Sequence, residues 1–279
     1  MKLKDAIPYK ILLESVFDKT SLKAVFMAGG PGSGKSYVAR GLFGIPEGNF
    51  SLTSAHDMKV VNSDSEFEYF LRKHGFDTET GAGYGKGTLD LDLWPKEVWD
   101  QIGGEQSPKD AKENPNLRAK AKRLMQMRKD GYMNNRLGMI IDGTARDYSK
   151  IHREKKELEK VGYDCYMVFV NTTLDVAQQR NMERARRLPP KLLEKSWHQV
   201  QANIGKFNGL FRGNFLLVDN SKFLDEKQAT AKFGMLINQG VGKFITRPIK
   251  NPIGKQWIKN QKILVKNKSR WAGIKKIAS

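Results

Sequence analysis

The sequence of 279 residues contains a single cysteine, Cys165, and no apolar run close to the roughly 20 residues that a membrane-spanning helix needs. One cysteine excludes a disulfide within the chain, and we expect Cys165 to be a small core residue. Residues 1–20 lack the apolar centre of a secretory signal. These absences exclude membrane-spanning and disulfide-stapled proteins. We expect an intracellular, cytoplasmic protein that does not bind a membrane.

Acidic residues are missing from the end of the chain. Between Lys227 and Ser279 there are 13 Lys or Arg and no Asp or Glu, so this segment carries most of the net charge of +19. Such a block favours contact with a polyanion. Trp257 and Trp271 lie among its lysines, as stacking residues would in a protein that binds single-stranded nucleic acid. A solvated tail, or a segment wrapped over the core with its tryptophans buried, is the alternative.

Glycine is concentrated in residues 29–36, Gly-Gly-Pro-Gly-Ser-Gly-Lys-Ser, a complete G-x-x-x-x-G-K-[ST] pattern. The apolar run 23–28 predicts a buried strand before it, and residues 37–43 predict the first turns of a helix after it. This is the context of a nucleoside triphosphate site, in which backbone N–H groups and the helix N-terminus bind phosphate. Lys35 is expected on the β- and γ-phosphates and Ser36 on Mg²⁺. We expect ATP or GTP to be bound by Gly29, Gly30, Pro31, Gly32, Ser33, Gly34, Lys35, Ser36 and Tyr37.

Apolar and helical segments alternate along the rest of the chain. This alternation predicts an α/β fold, in which helices cover both faces of a parallel sheet. We expect one domain over residues 21–242, between an N-terminal segment, 1–20, and a basic C-terminal tail, 243–279. Further strands are predicted at 59–62, 138–142, 163–170 and 215–218, with helices at 65–73, at 148–161, from 174 to about 187, and after Pro189-Pro190 to about 208.

Two segments interrupt the alternation. Residues 74–115 are long, Gly-rich and irregular, and such a connection is usually functional or disordered. Residues 116–130 predict a basic amphipathic helix with Leu117, Ala121 and Leu124 on one face, and its charges are most simply a solvated face. We place an insertion at 74–137 and expect it to form the acceptor region.

Two carboxylates follow predicted strands. Asp64 comes directly after the second strand, in Asn62-Ser63-Asp64, and Asp142 ends the third. Ligands of open α/β sheets bind at the carboxyl ends of the strands, so both are expected near the phosphate loop. Asp64 is a candidate general base, with capping of the next helix as the alternative. Asp142 is a candidate group near Mg²⁺, with a turn before Gly143 as the alternative.

Three arginines form a stripe on the helix predicted from residue 174. Arg180, Arg184 and Arg187 recur at i, i+4 and i+7, beside the apolar face expected to pack on the core. Cations on a mobile lid neutralise charge on a transferring phosphoryl group and can be worth roughly 10³-fold in rate. Because Pro189-Pro190 breaks the helix directly afterwards, the stripe predicts a lid over the triphosphate, and we expect Arg187 to be among the residues that bind the nucleotide. A solvated basic helix is the alternative.

The order of these motifs resembles that of the zeta-toxin and polynucleotide 5′-kinase group of P-loop kinases, including phage-encoded relatives. The resemblance covers residues 24–220 and rests on the phosphate loop, Asn-x-Asp, Ile-Ile-Asp-Gly-Thr and Arg-Asn-x-x-Arg. It implies a P-loop NTPase fold with five strands in the order 2-3-1-4-5, and the host cytoplasm if the chain is phage-encoded. It implies Asp64 as general base and Arg180 and Arg184 as lid arginines. Near the metal and acceptor it places Asn62, Asp142, Thr144 and Arg146. The insertion matches neither subgroup.

Together these features predict a kinase that uses Mg²⁺ and ATP, or GTP, to phosphorylate a hydroxyl group. A polynucleotide acceptor, either a 5′-OH or a modified base, is favoured by the basic tail, which we expect to bind nucleic acid. A nucleotide-sugar acceptor is favoured by the match of the core to the zeta toxins. A nucleic-acid-binding or assembly protein whose nucleotide site acts as a switch is a further alternative.

Overall fold

The structure, a computed structural model, describes residues 18–45, 54, 57–76, 100, 102–103, 106–183 and 187–277. Side chains are described up to Asn267, without those of residues 111 and 239. Within these ranges no helix is long and apolar enough to cross a membrane. Arg184, residues 1–17 and most of the predicted 74–115 connection lie outside the described residues.

Five parallel strands form one sheet in the order β2-β3-β1-β4-β5, which confirms the predicted P-loop NTPase arrangement. β1 pairs with β3 on one side, Val25 opposite Ile140, and with β4 on the other, Val25 opposite Tyr166. Every residue of β1 is buried, as expected for a central parallel strand covered on both faces. The strands are β1 (Lys23–Ala28), β2 (Lys59–Val61), β3 (Met139–Asp142), β4 (Asp164–Asn171) and β5 (Phe215–Asp219).

Helices connect the strands and cover the sheet. Short 3-10 and π-helical segments, Arg212–Asn214 and Ile237–Val241, adjoin three of them. The α-helices of the described residues are α1 (Lys35–Phe43), α2 (Ser63–Lys73), α3 (Pro108–Glu113), α4 (Leu117–Asn134), α5 (Tyr148–Val161), α6 (Leu174–Met182), α7 (Pro190–Gln201), α8 (Ile204–Phe211), α9 (Glu226–Leu236), α10 (Gly242–Thr246) and α11 (Pro252–Ile277).

Several of these helices differ from their predicted bounds. α6 ends at Met182, five residues before the predicted end near 187. The helix predicted after the two prolines is two helices, α7 and α8, because Asn203 leaves the first and its carbonyl oxygen accepts from Phe207 N to start the second. α4 continues past the predicted residue 130 to Asn134. The predicted irregular connection contains the short helix α3, whose N-cap is Ser107.

The side chains on the two faces of β1 belong to two separate apolar clusters. Successive side chains of a strand point to opposite faces. Ala24, Phe26 and Ala28 therefore pack with Leu158 of α5 and with Phe207 and Phe211 of α8, in the first cluster. Val25 and Met27 pack with Val38 and Leu42 of α1 and with Phe233 of α9, in the second. The sheet is thus covered on both faces, as the sequence pattern predicted.

A smaller third cluster fastens the described end of the insertion to the domain. Phe67 and Leu71 of α2 pack against Leu117 and Ala121 of α4. Two of the three residues of the apolar face predicted for 116–130 therefore meet α2, the helix that begins next to Asp64, whereas Leu124 is only partly buried and is not in this cluster. Packing of α4 on α2 brings the start of α4 to the carboxyl edge of the sheet.

A buried ion pair holds the beginning of the C-terminal segment against the amino edge of the sheet. Lys23 at the start of β1 is fully buried, and its Nζ lies 3.4 Å from Asp164 Oδ2 at the start of β4. The Asp164 carboxylate also accepts from Lys250 N at 2.8 Å and from Asn251 N at 2.9 Å. Burial lowers the pKa of Lys23 to about 8, although the charge of Asp164 opposes the shift. Asp164 thus joins β1, β4 and the segment that leads into α11.

The C-terminal segment also packs on the core. Phe244 and Ile245 are buried in the second cluster. Trp257 is half-buried against the first cluster, with the Arg136 guanidinium 5.9 Å from its ring. Trp257 thus follows the predicted arrangement in which the segment wraps over the core, although it is only half-buried, and the side chain of Trp271 lies outside the described residues.

We expect Asp164→Ala to lower the free energy of unfolding by about 3–5 kcal/mol at neutral pH, because it removes the partner of a buried ammonium and the acceptor of two backbone N–H groups. Urea unfolding measures this loss. The pKa of Lys23, about 8, is below its ordinary 10.5, so the folded state releases this proton first and the wild-type free energy of unfolding rises with pH in that window. Above about pH 9 the ion-pair part of the loss should disappear and a smaller loss should remain.

The control is Glu159→Ala, which removes the partly exposed partner of Lys155 and should cost no more than about 1 kcal/mol. If Asp164→Ala cost no more than this control, the carboxylate would not be the anchor of the C-terminal segment. An equal cost at neutral and alkaline pH would show that the ion pair with Lys23 does not contribute.

Candidate functional site

The phosphate loop follows β1 at the carboxyl edge of the sheet. Gly32 and Gly34 have φ of +72° and +79°, in the left-handed region that glycine tolerates best. A Cβ on Gly32 would collide with the backbone of Ala177 in α6, and one on Gly34 would collide with the Asn220 side chain. These close approaches explain two of the glycines in the motif. They also show that α6 and the loop after β5 lie against the phosphate loop.

The remaining residues of the motif surround the start of α1. Lys35 Nζ donates to Gly29 O at 3.0 Å, which holds the ammonium over the loop. Ser36 is exposed in the first turn of α1, where a helix N-terminus favours phosphate. The Ser33 hydroxyl oxygen is buried and has no partner among the described residues. Tyr37 is partly exposed and its ring packs edge-on against Phe233, 5.4 Å between centroids. Gly30 and Pro31 complete the loop, and Gly30 O accepts from Ser33 N.

Asn62 joins the ends of β2 and β3. Its Oδ1 accepts from Asp64 N at 2.8 Å and so caps α2, while its Nδ2 donates to Asp142 Oδ2 at 3.1 Å. The capping role that was the alternative for Asp64 therefore belongs to Asn62. The Asp64 carboxylate is left half-exposed, with 50% of its side-chain surface accessible, which is open enough for an acceptor to reach.

Asp142 presents one carboxylate oxygen without a partner. Its Oδ1 is buried and makes no hydrogen bond within the described residues, whereas its Oδ2 is held by Asn62. Burial raises the pKa of Asp142 to about 6; the charge of Lys35 opposes the rise and the charge of Asp64 adds to it. The two carboxylates and the lysine therefore act on one another electrostatically.

The described residues fit a magnesium ion that is shared with a nucleotide. No group of three or more His, Cys, Asp or Glu in the described ranges is arranged to hold a metal ion. Mg²⁺ needs no such cage, because it usually keeps several waters and binds one or two protein oxygens together with substrate phosphates. Ser36 and the free oxygen of Asp142 are the protein oxygens that could hold it here.

An arginine that the sequence pattern did not single out lies beside Asp64. Arg118, in the first turn of α4, has its Nη2 3.8 Å from Asp64 Oδ1 and its guanidinium 5.0 Å from the Phe67 ring centroid. The packing of Leu117 and Ala121 on α2 brings it there. The predicted apolar face of α4 was the available signal, but the sequence did not reveal which helix that face would meet.

Arg180 rests on the phosphate loop itself. Its Nη1 donates to Asn220 O at 2.9 Å and lies 3.5 Å from Ser33 O, and its guanidinium stacks 5.1 Å from the ring of Phe223. Asn220 Nδ2 also donates to Ser33 O at 2.9 Å. Burial lowers the pKa of Arg180. Asn220 and Phe223, in the loop after β5, are site residues that sequence analysis missed, because neither belongs to a recognisable motif.

The connection between α6 and α7 is closed by one buried amide. Asn181 Nδ2 donates to Leu188 O at 2.8 Å, and Leu188 N donates to Asn181 Oδ1 at 3.0 Å. This pair explains why α6 ends at Met182, since the chain must leave the helix to bring Leu188 back to Asn181. Arg187 is exposed near this closure. Arg184 lies outside the described residues, so its place in a lid stays a prediction.

Thr144 and Arg146 follow β3 on an exposed turn. Both are exposed, and Ala145 between them is buried with φ of +58°. The turn is held by Asn203 Nδ2, which donates to Ala145 O at 3.2 Å and to Arg146 O at 2.8 Å. The turn therefore leaves the sheet at the same edge as Asp142.

Comparison with known families decides the affiliation. A family profile described as an AAA domain, AAA_33, matches residues 25–206, which run from β1 into α8. The chain belongs to the AAA_33 family. The AAA_33 match contains the phosphate loop, both carboxylates and Arg180, and the P-loop kinase type of fold suggests ATP-dependent phosphoryl transfer. The match ends before Asn220, Phe223 and the basic C-terminal segment.

The solved structures that match this chain are distant in sequence, and their TM-scores are low. Shikimate kinase from Acinetobacter baumannii is 14% identical, covering 83% of this chain and 96% of its own, with a TM-score of 0.35. A structure of the PezAT toxin–antitoxin system of Streptococcus pneumoniae is 13% identical, covering 94% of this chain and 95% of its own, with a TM-score of 0.42. A candidate kinase from Chloroflexus aurantiacus is 9% identical, covering 78% of this chain and 98% of its own, with a TM-score of 0.40. Similarity at this level says nothing about the acceptor. Comparison with curated proteins finds no sequence match.

We expect Asp142→Asn to raise the free energy of unfolding at neutral pH, without Mg²⁺, by up to about 3 kcal/mol, since it removes a carboxylate that the fold holds in an unfavourable charged state. Because the folded-state pKa, about 6, lies above the ordinary 3.8, the wild type loses stability through this group as pH rises from about 4 to 6. The gain in the variant should therefore shrink below about pH 5. Thermal unfolding at both pH values measures it.

The same variant tests the magnesium assignment. Mg²⁺ with ATP should raise the melting temperature of the wild type more than that of Asp142→Asn. A variant that gains as much from Mg²⁺ with ATP as the wild type would exclude this role for Asp142. A variant that is less stable than the wild type at neutral pH would instead contradict the cost assigned to the charged carboxylate.

Proposed function

We propose that this AAA_33 protein is a kinase that transfers the γ-phosphoryl group of ATP to a hydroxyl of an anionic acceptor, the 5′-OH of a polynucleotide. The observation that carries the proposal is the half-exposed Asp64 carboxylate, freed from capping by Asn62 and electrostatically coupled to Asp142, which is itself coupled to Lys35. A switch protein needs a nucleotide site, but it does not need an accessible second carboxylate at the carboxyl edge of the sheet.

The chemistry follows from these positions. Asp64 accepts the proton of the acceptor hydroxyl while the hydroxyl oxygen forms a bond to the γ-phosphorus. The bond between that phosphorus and the oxygen bridging to the β-phosphate breaks, and ADP leaves. Lys35 exchanges Gly29 O for the β- and γ-phosphates. Ser36 and Asp142 would hold Mg²⁺, which would neutralise charge on the phosphate oxygens.

Cations from the other side of the loop complete the site. Arg180 is fixed to the phosphate loop through Ser33 O and to the loop after β5 through Asn220 O, so it is held next to the nucleotide rather than on a free lid. Arg187, which is exposed next to the closure made by Asn181, is proposed to approach the triphosphate, and Arg184 is proposed for the same role from the sequence pattern alone. Their approach would neutralise charge on the transferring group.

The acceptor is proposed to carry a negative charge close to its hydroxyl. Arg118 lies beside Asp64 and is only partly exposed, so a hydroxyl that reaches Asp64 brings its neighbouring groups to the guanidinium. Planar guanidinium groups favour phosphate and carboxylate. The 5′-terminal nucleotide of a polynucleotide has a phosphate on its 3′ side. A nucleotide-sugar, the alternative, has a diphosphate, and Thr144, Arg146 and Asn62 are further candidates for acceptor contacts.

Asp64→Asn should lower kcat for phosphoryl transfer by about 10²–10⁴-fold and leave nucleotide affinity unchanged, because the amide keeps the shape but cannot take a proton. The measurement is transfer from γ-labelled ATP to a 5′-OH oligonucleotide, to a UDP-sugar, and with no acceptor. Asp175→Asn is the matched control, since Asp175 is also the second residue of its helix and is exposed; it should retain transfer.

The three arms separate the alternatives. Labelling of the UDP-sugar alone would establish the nucleotide-sugar kinase. ATP hydrolysis that is unaffected by Asp64→Asn, with no acceptor labelled, would establish the nucleotide switch and refute phosphoryl transfer to these acceptors.

Arg118→Gln should raise the KM for the anionic acceptor about 10–100-fold, the worth of one charged hydrogen bond, and leave the KM for ATP unchanged. Arg118→Lys should recover part of the loss because the positive charge returns. Arg123→Gln, on the exposed side of the same helix, is the control and should keep wild-type kinetics. Equal effects of Arg118→Gln and Arg123→Gln would show that only the overall charge of α4 matters.

A further inference from the structure

The basic C-terminal segment leaves the domain far from the phosphate loop. Lys23 and Asp164 mark the amino ends of β1 and β4, and the Asp164 carboxylate binds the backbone that leads into α11. The phosphate loop begins after Ala28, at the other end of β1. A six-residue strand separates the two edges by about 17 Å. The root of α11 therefore does not line the site of phosphoryl transfer.

α11 has one lysine-rich face. Lys255, Lys259, Lys262 and Lys266 follow one another at intervals of four, three and four residues, so they share one face of the helix. All four are exposed. From Lys255 to Lys266 the four lysines span about 16 Å along the helix axis. Their spacing is on the scale of successive phosphates in a nucleic-acid backbone. The packed face, which includes Gly254, Trp257 and Val265, is turned away from them.

A basic groove lies beside the root of α11. Its volume is about 750 Å³, and it runs between α5, α8 and the amino ends of β4 and β5. Gly205, Gly209 and Gly213 form an open wall, where an added Cβ would meet nothing within 4 Å. Five cations line it, and the acid among its lining residues, Glu159, is paired with one of them at 2.6 Å. These cations are Lys155, Lys206, Arg212, Arg247 and Lys250.

The groove leads directly into the lysine-rich face of α11, because Lys250, which lines the groove, is followed by the first residues of that helix. Lys250 lines the groove, its backbone N–H is bound by Asp164, and Asn251 caps α11 by accepting from Ile253 N at 2.9 Å. No acid occurs anywhere between Lys227 and the end of the chain. The amino edge of the sheet and α11 thus form one cationic track, here defined as the groove cations together with the four α11 lysines.

The chemistry of the track favours nucleic acid over a membrane surface. An interfacial helix inserts its apolar face into lipid, but the apolar face of α11 is already packed on the core. Exposed Ile253 lies about 15 Å along the axis from the exposed pair Ile263 and Leu264, with the amide of Asn260 between them. Next to the lysines lie exposed Gln256, Asn260 and Asn267, and amide side chains of this kind contact phosphates in nucleic-acid complexes.

We propose that this cationic track is a docking surface for the phosphate backbone of nucleic acid, separate from the acceptor site. Trp257 is half-buried against the first cluster with Arg136 beside its ring, so the proposal rests on charge and does not use base stacking on this residue. The surface holds nucleic acid at the amino edge of the sheet, as a tether. This inference does not rest on the proposed kinase activity.

The test measures binding of a fluorescent oligonucleotide of about 20 nucleotides by anisotropy, between about 50 and 200 mM salt. The oligonucleotide carries a 5′-phosphate, and no nucleotide is added, so that it is not an acceptor. Lys259→Gln/Lys262→Gln removes two charges from α11, and Lys206→Gln/Lys250→Gln removes two from the groove. Each pair should reduce the slope of log affinity against log salt by about 1.4, or 0.7 per phosphate contact on a single strand.

The matched control is Lys191→Gln/Lys195→Gln, an exposed i,i+4 pair on α7, the helix that packs by the phosphate loop at the opposite edge. It should leave the slope unchanged. Equal loss in the control, or no loss in either track pair, would overturn the proposal. It would equally be overturned if the α11 pair lost binding to vesicles of phosphatidylcholine and phosphatidylserine while keeping full affinity for the oligonucleotide. Circular dichroism checks that every pair remains folded.

Discussion

The two hydrogen bonds of the Asn62 side chain are the interaction on which the site depends. One amide caps α2 through Asp64 N and fixes Asp142 Oδ2, so it sets two carboxylates relative to each other across the ends of β2 and β3. Had Asp64 capped its own helix, its oxygens would point at backbone N–H groups and could not take a proton from an acceptor. The residue two positions before Asp64 therefore leaves that carboxylate free for the role of general base that we propose for it.

The parallel sheet gives the molecule two edges of different chemistry. At the carboxyl edge lie the phosphate loop, Asp64 and Asp142, where buried or electrostatically coupled groups suit phosphoryl transfer. At the amino edge, Lys23 and Asp164 form a buried ion pair, and the Asp164 carboxylate also binds the backbone of the C-terminal segment. The segment that carries most of the excess positive charge leaves the domain at this second edge. A polyanion attracted by that charge reaches the domain without competing with the triphosphate for the same cations.

Local patterns in the sequence predicted most of the fold. The strands, the phosphate loop and the helices around them follow from short apolar runs and glycine spacing, and the strand order implied by the resemblance is the observed one. The contacts of Arg118, Asn220 and Phe223 could not be predicted, because they join segments dozens of residues apart. α11 escaped prediction for another reason: its apolar face is narrow, and in the sequence its apolar residues alternate with the lysines of the exposed face, so the composition suggested a tail.

The unpartnered Oδ1 of Asp142 lowers the free energy of unfolding relative to a site in which that oxygen accepted a hydrogen bond. A nearby hydrogen-bond donor would satisfy it and remove a cost of about 1–3 kcal/mol, but that donor would occupy the direction from which a cation must approach. Lys35 is close enough to lower the pKa of Asp142 without bonding to it, and bonds to Gly29 O instead. Both groups thus stay available to a nucleotide and its metal ion, and the energy that they do not contribute to folding is available for binding.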